Sequence, residues 1–404
     1  MILRQTRRVY FINLILFLII FQSILEQVIA PVKFFDELLS LVVFAYGMMR
    51  LFTIRHVKYN KYVFVMVLSV FVYFLIGSIS AFLYQYQSVT LSAAGAFLSV
   101  KWFMLMLGGY YFFQCFVDEN EMRSIKSAVS VYIVIYMLCI LFQYTGMNLY
   151  IVYPWDRCAK CVFMAAIIIS RWENSIKDWV SIGVLAFMLF LVHKAKGDVA
   201  ILLIAGCIIW IILLNKKINI MVFSLGALAA LFVAKDKIYY YLVRGKAGDW
   251  ARYRLMATAT EIAGDYFPLG TGWSTYGSHY SVGNYSRVYY LYGIDKHPEL
   301  GVETKYFLND NYWACVIAET GWLGALAILI FCIALFFIIQ KYAKVNRKFY
   351  AAGLLVWGYM MITTMEETGF AQPVLACLGI MSGALFALMK KSTEIENCEN
   401  RNIT

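Results

Sequence analysis

The chain has 404 residues, 62% of them hydrophobic and 15% charged, with a mean hydropathy of +0.70. That is far too apolar for an ordinary soluble domain. Its net charge of +11 lies mostly in short basic clusters between apolar runs, an arrangement that anchors spans rather than building a nucleic-acid surface.

The expected fold is an all-α polytopic membrane protein of about twelve transmembrane helices, with one large extracytoplasmic loop containing short helices. The predicted spans cover residues 10–30, 35–53, 62–82, 92–115, 126–145, 158–171, 178–193, 198–214, 218–234, 312–340, 349–365 and 372–389. This divides the chain into N-terminal membrane helices (1–234), the loop (235–310), C-terminal membrane helices (311–391) and a tail (392–404). The first apolar run, preceded by Arg4, Arg7 and Arg8, is too long for a signal-peptide core and reads as a retained helix. Lysine and arginine fall on alternate connections, which predicts cytoplasmic termini and an outward-facing loop. Lys101 departs from this pattern by lying deep inside its span, where a charge is costly unless it meets a partner or water. It can meet a lipid diphosphate or pair with a carboxylate.

Arg157 and Lys160, and then Lys194 and Lys196, stand in short connections expected to face outward, where basic residues are otherwise sparse. Lys194 and Lys196 can hold a substrate phosphate or lipid headgroups. Cys158 and Cys161 form a C-x-x-C without the second pair that a zinc set needs. The five prolines, Pro31, Pro154, Pro268, Pro298 and Pro373, lie in or beside outward segments, so no span is expected to be broken at its middle by proline, and only a glycine break is left open.

The loop, Lys235 to Asp310, balances nine Lys/Arg against eight Asp/Glu and is rich in tyrosine. Residues 248–264 read as a helix carrying Arg252 and Arg254. The next residues, Asp265-Tyr266-Phe267-Pro268-Leu269-Gly270-Thr271-Gly272-Trp273, make a tight turn where Gly-x-Gly lets the backbone approach closely. An irregular stretch from Tyr276 to Tyr292 comes next, and then Asp310-Asn311-Tyr312-Trp313 and Glu319-Thr320-Gly321-Trp322-Leu323-Gly324 at the next span.

Arg252, the Pro268–Trp273 turn, Tyr276-Gly277, Asp310-Asn311 and Glu319-x-Gly321 together resemble the Wzy-type repeat-unit polymerases of the O-antigen ligase/polymerase superfamily. The resemblance covers the loop and its flanking helices, and elsewhere only the helix layout. It implies glycosyl transfer on the outer face of the bacterial inner membrane. Polyprenyl-diphosphate-linked oligosaccharides would be joined into O-antigen or capsular polysaccharide, with the lipid diphosphate as leaving group. A chain-length regulator and a flippase would be partners. No nucleic acid, metal or other cofactor is expected, since no metal cluster, P-loop or nucleotide fingerprint occurs.

Such chemistry needs cations on a departing diphosphate and an acceptor for the attacking hydroxyl's proton. Arg252 and Arg254 are the first candidates, with Arg244, Lys194, Lys196 and Lys101 behind them; solvated surface charge is the bland alternative. Asp310 is a base or acceptor-positioning group, or else a helix N-cap. Glu319 is expected to be structural within the bundle. Trp273 and Tyr276, with Trp250, Tyr266, Tyr280 and Trp313, offer flat faces to sugar rings or sit in the interfacial belt. His279 is a candidate ligand group, and His279 and His297 otherwise read as surface histidines. A ligase is the nearest rival, but the related ligases carry His where Asp310 stands, and this departure suits a polymerase. A lipid-linked oligosaccharide flippase or transporter is the rival of a different class, and a glycan-binding scaffold is the non-enzymatic one.

Overall fold

The computed structural model describes residues 2–53, 61–116, 119–145, 152–214, 246, 248–344, 346–366 and 368–402. Among these residues every regular element is helical. A chain in hydrocarbon must satisfy its own peptide groups, and a helix does so within one segment. The predicted span 218–234 and Arg244 lie outside the described residues.

The helices run α1 (Ile2–Leu25), α2 (Phe35–Thr53), α3 (Lys61–Tyr84), α4 (Val89–Phe116), α5 (Glu119–Tyr144), α6 (Pro154–Ser170), α7 (Ile176–Phe190) and α8 (Ala195–Gly206), the last continuing as a π-helix over Cys207–Leu213. Further along the chain come α9 (Ala251–Asp265), α10 (His279–Gly283), α11 (Arg287–Leu291), α12 (Tyr312–Lys341), α13 (Arg347–Glu366) and α14 (Ala376–Asn402). Among the described residues, five helices are long and apolar enough to cross a membrane: α3, α4, α5, α8 with its continuation, and α12. A sixth arises if Val9–Leu25 and Ala30–Thr53, bent by 119°, form one span. The chain is therefore a membrane-embedded helical protein. Phe71, Phe74 and Phe82 on α3 and Leu326, Leu329 and Ile333 on α12 are exposed, as lipid-facing residues must be.

At the centre, α4 packs between α2 and α14, and α3 lies along α12. A Cβ on Gly108 would collide with the Val43 backbone, so glycine is what allows α2 and α4 to close up.

The short predicted span 158–171 proves to be α6, in which every residue from Asp156 to Ser170 is buried. It packs against α13, α7 and α14. A helix walled in by protein needs no uniformly apolar face, and that corrects the reading of its charges. Arg157 and Lys160 are buried inside the bundle rather than standing in an outward connection. Lys160 lies 3.8 Å from Asp156, whose carboxylate also accepts from Ser23 at 2.5 Å and Tyr136 at 3.1 Å. Arg157 donates to the carbonyls of Val152 and Leu191, both at 3.4 Å, and to the Tyr144 hydroxyl at 3.3 Å. Cys158 and Cys161 are buried free thiols one turn apart on the same helix.

Lys101 is resolved the same way. Its ammonium, 1% exposed, sits 2.5 Å from Asp36 and 3.2 Å from Glu37 in the first turn of α2. The carboxylate pair, not a lipid diphosphate, is what satisfies this charge.

Candidate functional site

The segment from Gly248 to Asn311 packs on the start of α12 through α9. Residues 248–264 fold as predicted to within a few residues, since Leu255, Ala259, Ile262 and Ala263 make one buried stripe at helical spacing. The stretch after Tyr276 is less irregular than expected, because Ser278 and Ser286 begin the short helices α10 and α11.

The turn after α9 and the first part of α12 lock together. The helix α12 is broken at Gly321, whose φ of 66° and ψ of −172° lie outside the helical region. This is a glycine break, the kind that the proline positions leave open. A break strands the carbonyls of the preceding turn. Here Thr271 N–H donates to the Ala318 carbonyl and Gly272 N–H to that of Glu319, both at 2.9 Å. The approach is so close that a Cβ on Gly270 would strike the α12 backbone, and one on Gly321 would strike Leu269. Pro-Leu-Gly-Thr-Gly and Glu-Thr-Gly are thus two halves of one joint.

Glu319 completes that joint. Buried, it accepts from Thr275 N–H at 2.9 Å, Tyr276 N–H at 3.1 Å and the Ser278 hydroxyl at 2.7 Å. This carboxylate holds the loop in shape, the structural role expected of it.

Beside the joint, the candidate charged groups gather at the mouth of α12. Asp310 and Arg252 form an ion pair at 3.2 Å, with side chains 27% and 38% exposed. Lys194 caps α8 in position only, without a side-chain bond to it, and Lys196 lies in the first turn of that helix. Both charges act on Asp310. Desolvation pushes the Asp310 carboxyl above its usual 3.8, against the opposing pull of Arg252 first and of Lys194 and Lys196 after it. Residues 194–196, 252 and 310, remote in sequence, therefore share one electrostatic site. Asp310 is not the N-cap of α12, because Asn311 takes that role by accepting from Ala314 N–H at 3.2 Å. The Asp310 carboxylate is paired with Arg252 and not with the helix end.

The remaining candidates divide. Arg254 is half-buried on the same helix as Arg252 and makes no ion pair among the described residues. Tyr276 is wholly buried, its hydroxyl donating to the Leu255 carbonyl at 2.9 Å, so its ring has no open face for a sugar. Trp273 is 1% exposed; its indole fills the space above Gly77, meets Tyr73 edge to face at 5.1 Å and donates to Ser78 at 3.2 Å. Trp273 and Tyr276 are thus packing residues rather than sugar platforms, because the tight Gly-x-Gly turn drives the residues after it inward. His279 is exposed at the start of α10. His297 is buried, contrary to the surface expectation. Its Nδ1 accepts from Glu299 N–H at 3.1 Å, which leaves Nε2 to donate to the Asp249 carbonyl at 2.5 Å. Trp313 is half-buried and donates to Thr364 at 3.3 Å.

Sequence reading missed Asp36, Glu37 and Asp156. The available signal was an acidic pair opening a predicted span, as out of place in hydrocarbon as Lys101 itself.

A half-buried ion pair that still reaches solvent, such as Arg252–Asp310, is worth only about 1 kcal/mol. An incoming anion can displace the carboxylate from the guanidinium at little cost. The site therefore combines cations able to hold phosphate oxygens with a carboxylate raised toward basicity. Comparison with known proteins finds no family model that matches the chain and no significant match among curated proteins.

Proposed function

We propose that the chain is a polymerase that joins polyprenyl-diphosphate-linked oligosaccharide repeat units into O-antigen or capsular polysaccharide. One observation carries the reading: Arg252, Lys194 and Lys196 converge on Asp310 beside the interlocked Pro-Leu-Gly-Thr-Gly and Glu-Thr-Gly segments. On this reading the chain has about twelve spans, both termini in the cytoplasm, and the segment from Lys235 to Asp310 on the outer face of the bacterial inner membrane.

Arg252, backed by the two lysines, binds the diphosphate of the glycan donor and gains strength as charge builds on the leaving oxygen. Asp310, released from Arg252 by that binding, accepts the proton of the attacking sugar hydroxyl of the acceptor unit. The new glycosidic bond forms as the bond from the anomeric carbon to phosphate breaks, and the lipid diphosphate departs. Purified protein supplied with lipid-linked repeat units tests this directly: a ladder of longer lipid-linked glycans is expected, and no elongation would overturn it. Deleting the gene separates the rivals, because single-repeat surface glycan marks a lost polymerase and internal accumulation a lost flippase.

A further inference from the structure

A cavity of about 1850 Å³ lies between α2 and α3 against α4, with Trp273 of the joint among its lining residues. Its walls run from Val63 to Phe82 along α3, about 28 Å at 1.5 Å per residue, close to the ~30 Å of a bilayer's hydrocarbon. Phe64, Phe71 and Phe82 line it and are exposed, so it opens sideways rather than enclosing a buried void. Its two ends differ in kind. Near Phe82 it is closed by neutral polar groups, Gln85, Gln87, Ser88 and Ser92. Near Val63 it carries Lys341 and Lys390, the only charged lining residues among the described residues. Lys390 lies over the ring of Tyr110, itself a lining residue, with the ammonium 5.9 Å from its centroid.

We propose that this cavity binds a diacyl phospholipid with an anionic headgroup, its acyl chains along α3 and α4 and its phosphate on Lys341 and Lys390. An apolar trough of bilayer depth with charge of one sign at one end matches an amphiphile of opposite headgroup charge. A free phosphate would leave the apolar walls uncovered. A polyprenyl diphosphate bound from the end near Gln85 would find no cation among the described lining residues there. Such a lipid site is independent of the proposed polymerase activity.

The test uses the full chain in nanodiscs containing phosphatidylglycerol and phosphatidylcholine, with retained lipid counted by native mass spectrometry after extraction. Two lysines at a lipid surface correspond to a preference on the order of 30-fold for phosphatidylglycerol. Lys341→Gln combined with Lys390→Gln should bring that preference close to parity; neither side chain is buried, and the helices should remain intact by circular dichroism. Val70→Trp and Ala96→Trp, which fill the trough, should lower retention of both lipids. Equal retention of the two lipids by the wild type, an unchanged preference in the double variant, or a lipid-free dimer occupying this face would overturn the proposal.

Discussion

Replacing Glu319 by alanine should unfold the joint between the polar segment and α12. Its carboxylate takes two buried backbone amides, at 2.9 and 3.1 Å, and one part-buried hydroxyl at 2.7 Å. Each buried donor left without an acceptor costs about 1–3 kcal/mol. Counting only the two amides, Glu319→Ala loses about 4 kcal/mol, a large share of the ~5–15 kcal/mol that stabilises a typical folded domain. Glu319→Gln keeps an oxygen in place and loses only the charge assistance, about 1–2 kcal/mol. Thermal melting in detergent, monitored by Trp fluorescence, should rank wild type above Gln above Ala. Limited proteolysis should cut the alanine variant between residues 270 and 311 first. If both variants melt and resist protease like the wild type yet lose turnover, Glu319 belongs to the chemistry and its structural role is refuted.

Arg252→Ala should lower glycan elongation on the order of 10²-fold, the typical cost of removing one transition-state donor, while melting changes by no more than ~1 kcal/mol; normal polymer length and yield in this variant would refute the assignment. The acid limb of elongation should lie above pH 3.8, because Asp310 holds its proton more tightly than a free aspartate. A raised carboxyl stabilises the fold only while protonated, and that contribution is lost as pH rises through its folded value, so Asp310→Asn should melt no lower than wild type at neutral pH while losing activity. Lys101→Met strands the buried Asp36 carboxylate and should cost about 3–5 kcal/mol, read as lower recovery of folded protein by size exclusion; adding Asp36→Leu should restore part of it.

The helical membrane character was legible because long apolar runs leave few alternatives in lipid. The helix of Arg252 was legible too, since Leu255, Ala259 and Ile262 repeat at its period. What the sequence concealed were the pairings across the bundle. Lys101 announces a need for a partner, but Asp36 lies 65 positions away, and nothing local couples them. Arg157 and Lys160 mimic a basic loop because charge-counting rules cannot tell a lipid-facing helix from one enclosed by other helices. Trp273 and Tyr276 look like sugar platforms by type alone; their burial comes from the Gly270–Gly272 turn, whose direction depends on a break in α12 that no proline marks.

That break bears on the transporter alternative. Interrupted helices in transporters leave peptide groups free to bind substrate or ions. In α12 the carbonyls of Ala318 and Glu319 are already taken by Thr271 and Gly272, and the Glu319 side chain by the residues just beyond. Opening it for a substrate would mean extracting the whole Leu269–Ser278 segment from buried contacts, at about 1–3 kcal/mol for each donor and acceptor uncovered. The joint is therefore built to hold rather than to move, and what it holds is the polar segment whose Arg252 reaches Asp310. A break spent on fixing one wall of a charged site suits a chain that positions two substrates against each other better than one that passes a single substrate through.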